Sequence, residues 1–269
     1  MKIIKDKFFI SPSDLNNFVA CKYTIKNEIK FLNKEITKNT DRVNDKLWKE
    51  MGIEHEKKHH KILKTKYKKS IEIKSAKDEQ SRFDETVGAM QKGYDLIYHA
   101  YLIDENFRGE ADFLIKTNTS SDLGDYSYEV YDTKITRNIR PRHITQITAY
   151  SDMLGKVQKL LPEKMYLIDG SDEKHTFKTI EYIDLFNHGK KEFIKFLPKI
   201  SKEKIYPEKC SYCNLCDWKN VCDQIWENDN YINLVAGSNK SQIEKLKKNK
   251  VRTVEQLSNT KLVATDLKI

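Results

Sequence analysis

Four of the five cysteines in this 269-residue chain crowd into one stretch, Cys210-Ser-Tyr-Cys213-Asn-Leu-Cys216-Asp-Trp-Lys-Asn-Val-Cys222, and the fifth, Cys21, stands near the start. If Cys21 joins Cys213, Cys216 and Cys222 at one site, the two ends of the chain must meet and close a ring around everything between them. Such spacing is a poor disulfide framework for a reducing compartment and a good framework for a metal or cluster. The local run Cys210, Cys213, Cys216 and Cys222 also offers a self-contained four-thiolate zinc knuckle that needs no help from Cys21. Burial of the thiols as small apolar side chains is the plain alternative.

The length suits one large domain, or a domain with a small appendage. Hydrophobic residues at 38% and aromatics at 10% exclude a disordered chain. With 49 Lys and Arg against 40 Asp and Glu, the net charge is +9, which favours a polyanionic partner, although a lysine-rich solvated surface gives the same number. The segment Met1 to Ile10 lacks the apolar run of a signal peptide, and no later stretch approaches the ~18 apolar residues of a membrane span. A soluble, cytoplasmic protein is expected, with no membrane partner.

Ser11-Pro12-Ser13-Asp14 reads as a helix start. The helix it opens is expected from Ser13 to Phe31, burying Leu15, Phe18, Val19 and Tyr23 and projecting Cys21. A second helical pattern runs from Asp41 to Tyr67, with Leu47, Met51, Ile62 and Leu63 as apolar positions and His55 in its middle. A short strand at Ser70 to Lys74 and a helix from Ser81 to Tyr94 follow. Leu96 to Ile103, Phe107 to Lys116 and Tyr126 to Ile135 then read as a three-stranded meander. A helix from Arg142 to Leu154, strands near Met165 to Asp169 and His175 to Tyr182, and a helix from Leu185 to Ile200 complete an α/β (α+β) fold with a central mixed sheet. Beyond the cysteines, Val235 to Leu257 reads as a pair of short helices.

The sharpest chemistry lies on two of these strands, Gly109-Glu110-Ala111-Asp112-Phe113-Leu114 and Tyr131-Asp132-Thr133-Lys134. Strand alternation lets Asp112, Asp132 and Lys134 point into one cleft, while Phe113, Val130 and Tyr131 contribute to packing. Two carboxylates and a lysine suit phosphodiester hydrolysis: the carboxylates hold Mg²⁺ or Mn²⁺, which acidifies a water, and the lysine positions that water or stabilises developing charge. Glu110 shares a strand face with Asp112 and is a rival for its role.

Asp132-Thr133-Lys134 resembles the Asp-X-Lys motif of the PD-(D/E)XK nuclease superfamily. Met51-Gly52-Ile53-Glu54-His55-Glu56 and Gln146-Ile147-Thr148-Ala149-Tyr150 extend the resemblance to its RecB-like branch, which carries a helix histidine after a glycine and a downstream Gln-X-X-X-Tyr. The choice of Asp112 over Glu110 rests on the family's Gly-X-X-Asp pattern, matched by Gly109 to Asp112. The resemblance implies His55 as a metal ligand beside Asp112, Asp132 and the backbone carbonyl of Thr133, with Glu54 and Glu56 as rivals on the same turn. It implies Lys134 as the catalytic lysine, with Gln146 and Tyr150, one turn apart on one helix face, contacting the DNA backbone or orienting that lysine.

Cys213-X₂-Cys216-X₅-Cys222 with a remote Cys21 is similar to the cluster motif of RecB-like nucleases that carry a [4Fe–4S] centre, among them the AddB helicase-nuclease subunit and the CRISPR-associated RecB-like exonucleases. The cluster is then a structural clasp, shielded by Tyr212 and Trp218, with Cys210 surplus or standing in for Cys213. Ser241 to Leu257 resembles a degenerate helix-hairpin-helix with Asn249-Lys250 where a glycine is usual. The expectation is a nuclease domain at 1–232 and a helical tail at 233–269 that is open to truncation, in a family whose core is often followed by helicase or further nuclease domains. The implied function is a Mg²⁺- or Mn²⁺-dependent deoxyribonuclease, an exonuclease on single-stranded DNA or DNA ends. The alternatives are a non-catalytic nucleic-acid-binding module or a zinc-containing one.

Overall fold

A computed structural model describes residues 1–5, 7–38, 43–74, 78–200 and 202–260, without the side chains of 43–45. The chain divides into two compact units, Met1–Asn16 with Arg42–Ile200, and Asn17–Asp41 with Ser201–Ile269. This division by compactness runs along a different line from the expected 1–232 and 233–269, of which 261–269 lie outside the described residues.

The first unit holds a hairpin of β1 (Lys2–Ile4) and β2 (Lys7–Phe9), and the start of α1 (Pro12–Ala20). Ser11 and Asp14 cap that helix reciprocally. The Asp14 carboxylate accepts from the Ser11 backbone N–H at 2.8 Å and its hydroxyl at 2.7 Å, and Asp14 N–H donates to Ser11 Oγ at 3.3 Å. After α2 (Lys22–Leu32), which belongs to the second unit, come α3 (Val43–Lys66), β3 (Ser70–Glu72), α4 (Glu79–Gln91), β4 (Leu96–Asp104), β5 (Phe107–Thr117), β6 (Ser127–Thr133), α5 (Pro141–Gln158), β7 (Lys164–Ile168), β8 (Lys174–Lys178) and α6 (Ile183–Phe196). The start expected for α3 at Asp41 lies outside the described residues.

Among the described residues, β3 to β8 form a six-stranded mixed sheet in sequence order. The pairs β3·β4 and β6·β7 are parallel and the others antiparallel. Each parallel pair is bridged by a helix, α4 in the first case and α5 in the second, as parallel pairing demands. The expected meander is β4, β5 and β6. Its first turn is tight because Glu105 takes a left-handed φ of 50°. Phe113, Leu114, Val130, Met165, Leu167, Ile147 and Met153 are fully buried. Each contributes on the order of 1.5–3 kcal/mol by leaving water, so the strands that carry the acidic residues run through the most stable part of the unit.

In the second unit the expected Ser13–Phe31 helix is broken. Cys21 has φ −162° and ψ 112°, an extended conformation that ends α1 and caps α2. Val19 is exposed where burial was expected. After the cysteine run, a further helix, α7 (Lys219–Asn228), carries Cys222, and α8 (Lys240–Lys248) and α9 (Val254–Ser258) are the expected short pair. Cys222 sits in this unit's core with Tyr23, Trp226, Tyr231, Ile232, Ile243 and Val251. The left-handed residue between α8 and α9 is Lys250 (φ 65°), whereas Asn249 has an ordinary φ of −87°. No helix among the described residues is long and apolar enough to cross a membrane.

Candidate active site and cysteine site

The end of β6 and the middle of β5 bring the strand acids together. Asp112 Oδ2 accepts from the Thr133 backbone N–H and from its hydroxyl, both at 2.7 Å. Asp132, one residue earlier on β6, is fully buried, with one oxygen ion-paired to Lys134 and the other, Oδ1, without a partner. Burial pushes the Asp112 carboxyl well above the ordinary aspartate range, and the Asp132 charge adds to the shift. Burial disfavours the Lys134 cation as well, but the carboxylates of Asp132 and Asp112 outweigh it and hold the ammonium above its usual pKa.

Lys134 lies just past β6, and its segment is pinned by backbone contacts. Lys134 N–H donates to Ile168 O at 2.9 Å, and Gly170 N–H to Thr136 O at 3.1 Å. A Cβ at Gly170 would stand 2.0 Å from the Ile135 carbonyl oxygen, so only glycine allows this approach.

On α5, Gln146 Nε2 donates to the Tyr150 hydroxyl at 2.9 Å. Tyr150 is buried, and its phenol is pushed far above its ordinary pKa by burial and by the charge of Asp132, with a smaller push from Asp112. The expected pair therefore meets the strand acids through Tyr150, with Gln146 holding the ring in place. Glu110, the rival of Asp112, is tied to Arg82 of α4.

On α3 the two adjacent candidates separate. Glu56 lies within electrostatic reach of Lys134 and Asp112. Its Oε1 sits 2.6 Å from His99 Nε2. Burial favours the protonated Glu56, but hydrogen bonds from His99 and Tyr98 outweigh it and keep the group below the ordinary glutamate range. His55 instead stands edge-on to His59, ring centroids 4.7 Å apart, with Nδ1 3.9 Å from Asp172 Oδ1. Its Nε2 is buried without a partner. His59 Nε2 lies 2.9 Å from the same Asp172 oxygen. Among the described residues, His55, His59 and Asp172 form one of two groups whose ligand atoms all lie within 4.8 Å of one another; the other is Asp169, Glu173 and His175. Asp112 and Asp132 belong to neither. His99 and Asp172 carry no motif that would have drawn attention to them in the sequence.

All five cysteines, none in a disulfide, line one cavity of the second unit. Thr24 Oγ1 lies 3.6 Å from Cys216 Sγ, and Cys210 Sγ lies 3.8 Å from Cys213 Sγ. Burial raises the Cys213 thiol to about 11 and the Cys222 thiol to about 12. The neighbouring thiols add to both shifts. Cys21 therefore reaches the others within this unit, and the ring of chain closes there. Trp218 is buried at the same cavity, and Tyr212 donates to Asn17 Oδ1 at 2.7 Å.

Residues 29–223 match the profile of the PD-(D/E)XK nuclease superfamily, a span that takes in both strand acids, Lys134, Tyr150 and three of the clasp cysteines. No curated protein sequence matches the chain. Among solved structures, the crystal structure of SSO0001 is similar at 12% identity and a TM-score of 0.33, over 82% of this chain and 88% of that one.

Proposed function

Because the chain belongs to the PD-(D/E)XK nuclease superfamily, we propose that it is a Mg²⁺- or Mn²⁺-dependent deoxyribonuclease of the RecB-like branch, acting on single strands or DNA ends. The observation that carries this reading is Asp132. It is a fully buried carboxylate with Lys134 on one oxygen and nothing on the other. A buried, unpaired carboxylate oxygen is expensive, and a divalent cation is the partner that fits it.

Asp112, Asp132 and the Thr133 backbone carbonyl would hold that cation. From α3, Glu56 would supply a third carboxylate, while His55, whose Nε2 has no partner, is the further ligand that the family resemblance implies. When bound, the cation polarises the phosphate and acidifies a water. Lys134 stays protonated because two carboxylates hold its proton. It therefore acts as a fixed positive charge on the phosphate and not as a general base. Tyr150, equally unwilling to give up its proton, is kept as a phenol whose hydroxyl is oriented by Gln146. Asp112 loses a proton more reluctantly than an ordinary aspartate, so cation binding at this site releases protons and weakens as the pH falls.

We assign the cysteine site to a [4Fe–4S] cluster held by Cys21, Cys213, Cys216 and Cys222. A zinc ion with Zn–S bonds of ~2.3 Å needs its four sulfurs about 3.8 Å apart. Cys210 and Cys213 have that spacing, but among the described residues no third cysteine sulfur lies within 4.8 Å of both. All five cysteines line one cavity, more thiols than one zinc ion takes, which supports a polynuclear centre, and cysteines outside disulfides suit a reducing compartment.

The test is cleavage of end-labelled single- and double-stranded DNA with Mg²⁺ or Mn²⁺ by anaerobically purified protein and by Asp132→Ala, alongside iron, sulfide and zinc analysis. Wild type is expected to cut from ends, with the variant at least about 10³-fold slower. Equal cleavage by both would remove Asp132 from the chemistry. Zinc without sulfide would replace the cluster.

A further inference from the structure

β4 is one of the most buried strands of the sheet, yet His99 in its middle has a φ of +56°. A side chain with a Cβ adopts this left-handed conformation only under strain. The ladder shows where it falls. Tyr98 pairs with Phe113 and Ala100 with Ala111, which leaves His99 opposite Asp112 without a ladder pairing of its own.

The consequence for the side chain is large. In a regular strand Tyr98 and His99 would point to opposite faces. Here their rings stack at 3.7 Å between centroids and 25° between planes, and His60 of α3 covers Tyr98 at 3.8 Å and 24°. The left-handed residue has brought the imidazole round to the side of the sheet where α3 lies. There its Nε2 meets Glu56 at 2.6 Å, while Nδ1 stands 3.9 Å from Glu72.

We propose that His99 is a positioning residue of the metal site: the strained backbone swings its imidazole onto Glu56 and fixes that carboxylate for a divalent cation. The proposal rests on the reading of Glu56 as a ligand. With a proton on Nε2, His99 donates to one Glu56 oxygen and Tyr98 adds a second hydrogen bond, and the lone pairs these two leave are open to the cation. This is how an outer hydrogen bond orients an inner ligand.

The test is Mn²⁺ binding by titration calorimetry on the full chain. H99F keeps a flat ring against Tyr98 but has no donor, whereas H99Q keeps an N–H at comparable reach. H99F is expected to weaken Mn²⁺ binding by about 10- to 100-fold. H99Q should stay within about 3-fold of wild type, a rescue that loss of packing alone would not produce. Combined with E56Q, H99F should add nothing, because it acts through Glu56. If H99F fails to fold, H99N carries the same expectation: asparagine tolerates the left-handed backbone but is too short to reach Glu56. Wild-type Mn²⁺ affinity in H99F or H99N, with E56Q weakened, overturns the positioning role alone. Wild-type affinity in E56Q overturns the ligand reading and the proposal together. Neither result touches Asp132.

Discussion

The strand acids and the clustered thiols bury ionisable groups in opposite ways. In the first unit, the Lys134 ammonium sits among Asp112, Asp132 and Glu56, so opposite charges face one another inside the protein. In the second unit burial raises the Cys213, Cys216 and Cys222 thiols, and neighbouring thiols raise them further. The first arrangement keeps its geometry before any cation arrives. The second would become a set of thiolates only where the proposed metal centre supplies the positive charge, which would couple metal binding to folding.

The largest effect expected from this difference is in thermal melting. Cys222→Ser removes a proposed cluster ligand and places a hydroxyl in a core shared with Trp226, Tyr231 and Ile232. It should lose iron and sulfide and melt roughly 10 °C or more below wild type. Asp132→Ala leaves Asp112 and Glu56 to balance Lys134 and should shift melting by less than about 5 °C while cleavage disappears. Equal shifts in both variants would break the comparison, since both sites would then be structural.

A smaller effect separates the units by pH. Burial, with Lys134, Arg142 and Arg140 nearby, pushes His143 of α5 down to about 4 from the usual 6.5. The fold therefore prefers the neutral ring. Its contribution is complete above pH 6.5 and is lost as the pH falls from 6.5 to 4, an upper bound of about 3 kcal/mol. The Cys222 thiol works in the other direction. Raised to about 12 from 9.0 by burial and the other thiols, it favours the metal-free fold below pH 9 and loses that contribution as the pH climbs from 9 to 12. Urea unfolding against pH should show an acid limb that His143→Gln flattens and, in metal-free protein, an alkaline limb that it leaves alone. An acid limb untouched by His143→Gln would leave carboxylates held below their ordinary range, Glu56 first among them, as the cause.

Much of the sheet was legible because its signals are local. Strand alternation and the Asp104-Glu105-Asn106 turn specify the meander, and helical periodicity specifies α5. The break at Cys21 was not, because the residues on either side are good helix formers and the extended conformation belongs to a site assembled from distant segments. β1 and β2, three residues each, are too short to show a period. α7 lay hidden behind the cysteine spacing it helps to set. At the acid site, Asp112, Asp132, Lys134 and Tyr150 stood in readable motifs. His55 and Glu56 did not separate, since neighbouring helix residues differ only by a rotation whose reference, the sheet, is absent from the sequence. Nothing local announces a left-handed histidine in a buried strand, so His99 could be found only in three dimensions.

The Gly-X-X-Asp pattern that favoured Asp112 also has a physical reason, and it yields the smallest effect. A Cβ at Gly109 would stand 2.8 Å from Tyr150 Cε1 and 3.2 Å from Pro12 Cδ. The glycine leaves room for the aromatic ring that Gln146 orients next to the acids. Gly109→Ala must push that ring away, at a cost of about 1–3 kcal/mol in stability. Cleavage should fall by about 10-fold, through a geometric change of under an ångström. Iron and sulfide content should stay at wild-type levels, because the thiols lie in the other unit. The measurement is kcat/KM on single-stranded DNA beside metal content. Full activity in a destabilised Gly109→Ala would mean that the ring's position matters to packing alone, and loss of iron would mean that the two sites are not independent.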